Sequence, residues 1–145
     1  MELRDIQTIY FIGIGGIGMS ALARYFRGHG ADVYGYDRTE TDLTRALASE
    51  GMHVHYDDDV RHIPARVDLV VWTPAVPQDH RELAWFREHG TPIKKRAEVL
   101  GIISKGKRIW ITVSIGIKRE NHQVFPRYRQ QPTRARIKAI EEWLT

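Results

Sequence analysis

The chain has 145 residues, enough for one domain, or one domain with a tail, and enough to bury a sizeable core. Hydrophobic residues at 42% and charged residues at 28% fit a soluble globular protein, and the lack of cysteine excludes disulfides, thiolate metal sites and cysteine nucleophiles. The net charge of +4 is unevenly placed: residues 118–145 carry seven basic and three acidic side chains, so the preceding body is balanced and offers no basic face for nucleic acid.

The opening Met1-Glu2-Leu3-Arg4-Asp5 has no signal-peptide pattern, and no apolar run reaches membrane-spanning length, so a cytoplasmic protein without a membrane partner is expected. Thr8 to Ile12 is a short apolar run that reads as a buried first strand. Residues 17–27 follow with Met19, Leu22, Ala23 and Phe26 at helical spacing, and Gly28 and Gly30 punctuate the end. Asp32 to Tyr36 predicts a second strand, residues 41–50 a second helix closed by Gly51, and residues 54–56 a short third strand. Val67 to Trp72 is a continuous apolar strand. A helix over 78–89, a strand over 92–95, a helix over 96–104 and a strand over 108–113 complete the alternation. That rhythm predicts an α/β fold, a Rossmann-like parallel sheet with helices on both faces.

Gly13-Ile14-Gly15-Gly16-Ile17-Gly18 is a G-x-G-x-x-G loop between a predicted strand and a predicted helix. Glycine permits the sharp turn and lets backbone N–H groups approach a diphosphate, while the helix N-terminus favours the anion. Asp37, 19 residues after Gly18, closes the second strand and can accept hydrogen bonds from a ribose hydroxyl. The pattern points to a nucleotide diphosphate without saying which one. An NAD-binding oxidoreductase or redox-sensing domain shares it.

The residues around the loop narrow the choice. Phe11 to Ser20, with its doubled glycine and Gly18-Met19-Ser20, resembles the opening of the UDP-N-acetylmuramate–L-alanine ligases, members of the Mur ligases. Gly35-Tyr36-Asp37, Thr73-Pro74-Ala75-Val76 and Lys95-Arg96-Ala97-Glu98-Val99-Leu100 agree with that family in order and spacing. The resemblance spans residues 6–114 and implies a UDP-sugar-binding domain over residues 1–114. It also implies the activity: joining L-alanine to the lactyl carboxylate of UDP-N-acetylmuramate with ATP and magnesium, in peptidoglycan synthesis. By the same resemblance Gly13 shapes the turn, and Gly15, Gly16, Ile17 and Gly18 offer N–H groups to the diphosphate. Ser20 adds a hydroxyl, Asp37 faces the ribose or uracil side, Thr73 and Ala75 line the uridine pocket, and Arg96 joins the site or only pairs with Glu98 or the sheet edge. The murein peptide ligases have a similar architecture and remain an alternative.

The chain departs from the family after Ser114. Where the family has Gly-Thr-His-Gly-Lys-Thr-Thr, a loop that cradles ATP phosphates, this chain has Ile115-Gly116-Ile117-Lys118-Arg119-Glu120-Asn121-His122-Gln123, and Gly-Lys-Thr occurs nowhere. Lys118 to Gln123 encoded as AAA-CGG-GAA-AAC-CAC-CAG reads Asn-Gly-Lys-Thr-Thr once the first base is dropped. That points to a frameshift near Ile115, with a coincidence of codon choice as the alternative. Residues 115–145 then read as an irregular, basic, out-of-frame tail with a short helix near 133–144. The chain alone is expected to bind neither ATP nor a metal and to be inactive as a ligase. His53 and His55 share a strand face beside Asp57, Asp58 and Asp59, which reads as a solvated polar strand end rather than a metal site. Asp79 reads as the N-cap of the 78–89 helix. Trp72, Trp85 and Trp110 read as packing residues.

Overall fold

In a computed structural model the chain divides into two units, Met1–Ile109 and Trp110–Thr145. The structure describes residues 2–106, all within the first unit. The predicted strand over 108–113, the domain boundary at 114, Trp110 and the tail with its helix lie outside the described residues.

Among the described residues five strands, β1 (Thr8–Ile12), β2 (Asp32–Tyr36), β3 (His53–His55), β4 (Leu69–Trp72) and β5 (Ile93–Lys95), form one sheet. Four helices alternate with them: α1 (Ile17–Gly28), α2 (Asp42–Ser49), α3 (Arg81–Glu88) and α4 (Arg96–Gly106). The sheet order is β3-β2-β1-β4-β5 and every pairing is parallel. The fold is the α/β class that the strand–helix rhythm predicts.

Side chains alternate along each strand and so sort into two layers. Ile9, Phe11, Val33, Leu69 and Val71 pack with Met19, Leu22 and Phe26 of α1, Leu47 of α2, and Val99 and Ile103 of α4. Tyr10, Ile12, Val70 and Trp72 pack on the opposite face with Leu83 and Phe86 of α3. Among the described residues three helices therefore cover one face and one helix the other. Burial on both faces is why β1 and β4 read as continuous apolar runs rather than alternating ones. Residues such as Phe11 and Leu69, fully buried, each contribute about 1.5–3 kcal/mol of transfer free energy.

Local chemistry sets the element ends. Thr41 caps α2: its hydroxyl accepts from the Thr44 N–H at 3.2 Å, and the Thr44 hydroxyl accepts from the Thr41 N–H at 2.8 Å. Gly51 leaves the helix with φ of 93°. β4 begins at Leu69 rather than Val67, because Asp68 turns its carboxylate onto the start of β1 and accepts from the N–H groups of Gln7 (2.9 Å) and Thr8 (3.0 Å).

α3 departs most from the sequence reading. It starts at Arg81 rather than at residue 78, and Asp79 is not its N-cap; His80 holds that position without a side-chain cap bond. The capping oxygens come from Asp58, in the loop after β3, which accepts from the N–H groups of Arg81 (2.9 Å) and Glu82 (3.1 Å). The solvated strand end expected at His55 is also corrected. Its Nε2 lies 2.6 Å from Oε1 of Glu82, a carboxylate with no solvent exposure, and the Tyr10 hydroxyl donates to Glu82 Oε2 at 2.9 Å. Burial, reinforced by the Glu82 charge, pushes the Tyr10 phenol well above its usual range.

Candidate functional site

β1 has β2 on one side and β4 on the other, so the chain leaves β1 and β4 in opposite lateral directions and a crevice opens at their carboxyl ends. A pocket of about 760 Å³ occupies that end of the sheet. Its lining comes from every loop there: Gly13, Gly15 and Gly16 after β1; Tyr36, Asp37 and Arg38 after β2; Asp58 after β3; Ala75 to Pro77 and Asp79 to Arg81 after β4. The volume lies in the range of small-molecule sites.

The glycine loop is built for close approach. Gly13 has φ of 92°, and a Cβ there would lie 2.8 Å from Thr73 Cγ2. A Cβ on Gly15 would lie 2.6 Å from Asp37 Oδ2 and 2.8 Å from Thr44 Cγ2. The Gly15 N–H donates to Asp37 Oδ2 at 2.7 Å, and the Thr39 N–H donates to Asp37 Oδ1 at 3.0 Å. Asp37 thus fastens the loop to the end of β2, and each of its oxygens keeps a further lone pair. The Gly16 N–H makes a long bond of 3.4 Å to Gly13 O. Among the described residues the N–H groups of Ile17, Gly18 and Met19, the first three of α1, find no acceptor. Their partial positive charge at the helix start favours an anion there.

The remaining residues expected at the site occupy different places. Ala75 lines the pocket, whereas Thr73 is not among the lining residues and lies against Gly13. Ser20 is buried, and its hydroxyl donates back to Ile17 O at 2.9 Å. Arg96 lays its guanidinium over Gly18, in the space that any side chain at position 18 would need. Glu98 accepts from the Lys95 N–H at 2.6 Å and so secures the start of α4. Ile17, 87% exposed, stands out from the helix start.

Several lining residues escaped the sequence reading. Tyr36 forms a wall, and burial together with the Asp58 and Glu82 carboxylates raises its phenol above the usual range. Arg38 and Arg81 add exposed positive charge around the pocket. His80 is buried beside Tyr36, their rings 4.5 Å apart. Arg38 follows the recognised Gly35-Tyr36-Asp37 and could have been found by adjacency. His80 and Asp58 carry no local signal, since their roles depend on β3 and α3 meeting in space. Among the described residues no three His, Cys, Asp or Glu side chains converge on one point.

A parallel α/β sheet with a glycine loop, an engaged acid and a pocket at its switch point defines a domain of the doubly wound α/β type. The profile of the Mur ligase family, catalytic domain, matches residues 8–108, and the chain belongs to that family. It is 51% identical over 110 residues to a UDP-N-acetylmuramate–L-alanine ligase of Cytophaga hutchinsonii, covering 72% of this chain and 24% of that protein. It is 52% identical over 109 residues to the enzyme of the same name in Flavobacterium johnsoniae, with the same coverage of 72% and 24%. Among solved structures it is similar to the UDP-N-acetylmuramate-alanine ligase of Thermotoga maritima: TM-score 0.64, 36% identity, covering 69% of this chain and 23% of that one. A murein peptide ligase of Psychrobacter arcticus, 22% identical with a TM-score of 0.60 over 69% of this chain and 20% of that one, shares the fold. The chain thus spans about a quarter of the length of the curated relatives it matches.

Proposed function

We propose that this domain holds UDP-N-acetylmuramate for the ligase that joins L-alanine to it in peptidoglycan synthesis. The observation that carries the reading is the start of α1. Three N–H groups without acceptors among the described residues sit there, beside a pocket that has Asp37 on one side and Ala75 to Pro77 on the other. The diphosphate would lie against the N–H groups of Ile17 and Gly18, with Gly16 close by. Gly13 gives the turn, and Gly15 holds Asp37, whose remaining lone pairs accept from the ribose. Ala75 lines the uridine pocket, and Thr73 lies against Gly13. Ser20 stabilises the first turn of α1, and Arg96, folded over Gly18, brings positive charge close to the diphosphate.

The similar proteins named above are ligases, which favours this reading over an NAD-binding oxidoreductase. The much higher identity to the L-alanine ligases than to the murein peptide ligase ranks the latter second. ATP and magnesium belong to the whole enzyme, and the phosphate-cradling Gly-Lys-Thr sequence that would bind them is absent from this chain.

The test is a thermal melt with UDP-N-acetylmuramate. A hundredfold excess over Kd stabilises a folded domain by about 2.7 kcal/mol, so the midpoint should rise by several degrees. Gly15→Val, whose side chain would occupy the place of Asp37 and Thr44, should lose that rise. An unchanged wild-type midpoint at millimolar ligand would contradict the reading.

A further inference from the structure

We propose that His80 reads the nucleobase: its Nε2 accepts the imide N3–H of uracil, so that the pocket prefers uridine over cytidine nucleotides. The inference rests on the reading that the pocket takes a uridine diphosphate. His80 belongs to the pocket wall, and its side chain is only 5% exposed. Among the described residues neither ring nitrogen has a hydrogen-bond partner. A buried polar atom left without a partner is costly, and such an atom in a pocket wall is accounted for once a ligand completes it.

The neighbourhood sets which nitrogen carries the proton. Nδ1 lies 3.3 Å from Oδ1 of Asp58, close but out of hydrogen-bond alignment. A lone pair facing a carboxylate would be repelled, so Nδ1 carries the hydrogen in the neutral ring and Nε2 is an acceptor. Asp58 cannot swing away, because both its oxygens hold N–H groups at the start of α3. The Tyr36 ring, 4.5 Å away and tilted by 57°, backs the imidazole. On this proposal the ring turns towards the pocket when the ligand enters, which aligns Nδ1–H with Asp58 and uncovers Nε2, a buried atom in this structure. The entering group must then be a donor. Uracil presents N3–H, whereas cytosine presents a bare N3 whose lone pair would face that of Nε2.

Calorimetry of the 145-residue chain at pH 8 with UDP and with CDP tests this. UDP should bind roughly 10- to 100-fold more tightly, the range expected when a buried acceptor gains a partner in one complex and loses it in the other. In His80→Phe, which keeps an aromatic ring against Tyr36, that ratio should fall to within about threefold. A folded His80→Phe that keeps the wild-type ratio overturns the proposal. So does a wild type that binds UDP and CDP equally, although the pocket reading then stands. A folded wild type that binds neither nucleotide removes the pocket reading and this proposal with it. If His80→Phe does not fold, the imidazole ¹⁵N spectrum of the wild type decides: the Nε2 resonance should move with UDP and not with CDP, and no movement with bound UDP overturns the proposal.

Discussion

Glu82, in the first turn of α3, has no solvent exposure, and its two oxygens meet the Tyr10 hydroxyl and His55 Nε2. A buried carboxylate is tolerated only when donors answer it, so this contact ties β1, β3 and α3 together. Tyr10→Phe keeps the ring packing on Phe86, 4.9 Å away, and removes the donor. It should destabilise the domain by about 1–3 kcal/mol. Urea denaturation measures this, and a variant as stable as the wild type would show that the hydroxyl adds nothing. At this scale the sequence was legible where chemistry is local: the glycines, their spacing and Asp37 lie within one strand–loop–helix and the strand after it. The Tyr10–Glu82 contact was not, because the two residues are 72 positions apart and each looks like an ordinary strand or helix residue alone.

The elements around the pocket depend on one another's loops. α3 carries His80 and Arg81 into the wall, yet its cap is supplied by Asp58. Asp58→Ala should therefore cost about 0.5–2 kcal/mol, the usual range for a lost helix cap. Asp79→Ala should stay within about 0.5 kcal/mol of the wild type, as an exposed change away from such features does. Equal losses in the two variants would refute the assignment of the cap. Helix and strand identities followed from periodicity and glycine punctuation. The early start expected for α3 did not hold, because Gln78 and Asp79 are polar residues that fit a helix start in isolation, whereas the oxygens that begin the helix come from 23 residues upstream.

Across the whole domain, Asp68 joins the start of β1 to the strand beside it. Burial alone would raise its carboxyl, but the N–H groups of Thr8 and Gln7 and the Arg66 guanidinium bring it below the usual range. A depressed carboxyl contributes stability in full above its unfolded value of about 3.9 and loses it as pH falls through the folded value. Between pH 5 and 2.5 the wild type should lose stability more steeply than Asp68→Asn, and the gap between the two should narrow towards the acid end. Parallel acid limbs in denaturant titrations at each pH would count against this. The parallel order β3-β2-β1-β4-β5 agrees with the strand–helix alternation, and the pocket lies where such a sheet reverses direction.

The most direct test of the central claim is calorimetric titration of the purified chain with UDP-N-acetylmuramate and, separately, with NAD. Both ligands carry a diphosphate and a ribose, so only the groups attached to these separate them. The account predicts that UDP-N-acetylmuramate binds at least tenfold more tightly, a difference of about 1.4 kcal/mol. Preferred binding of NAD would contradict it.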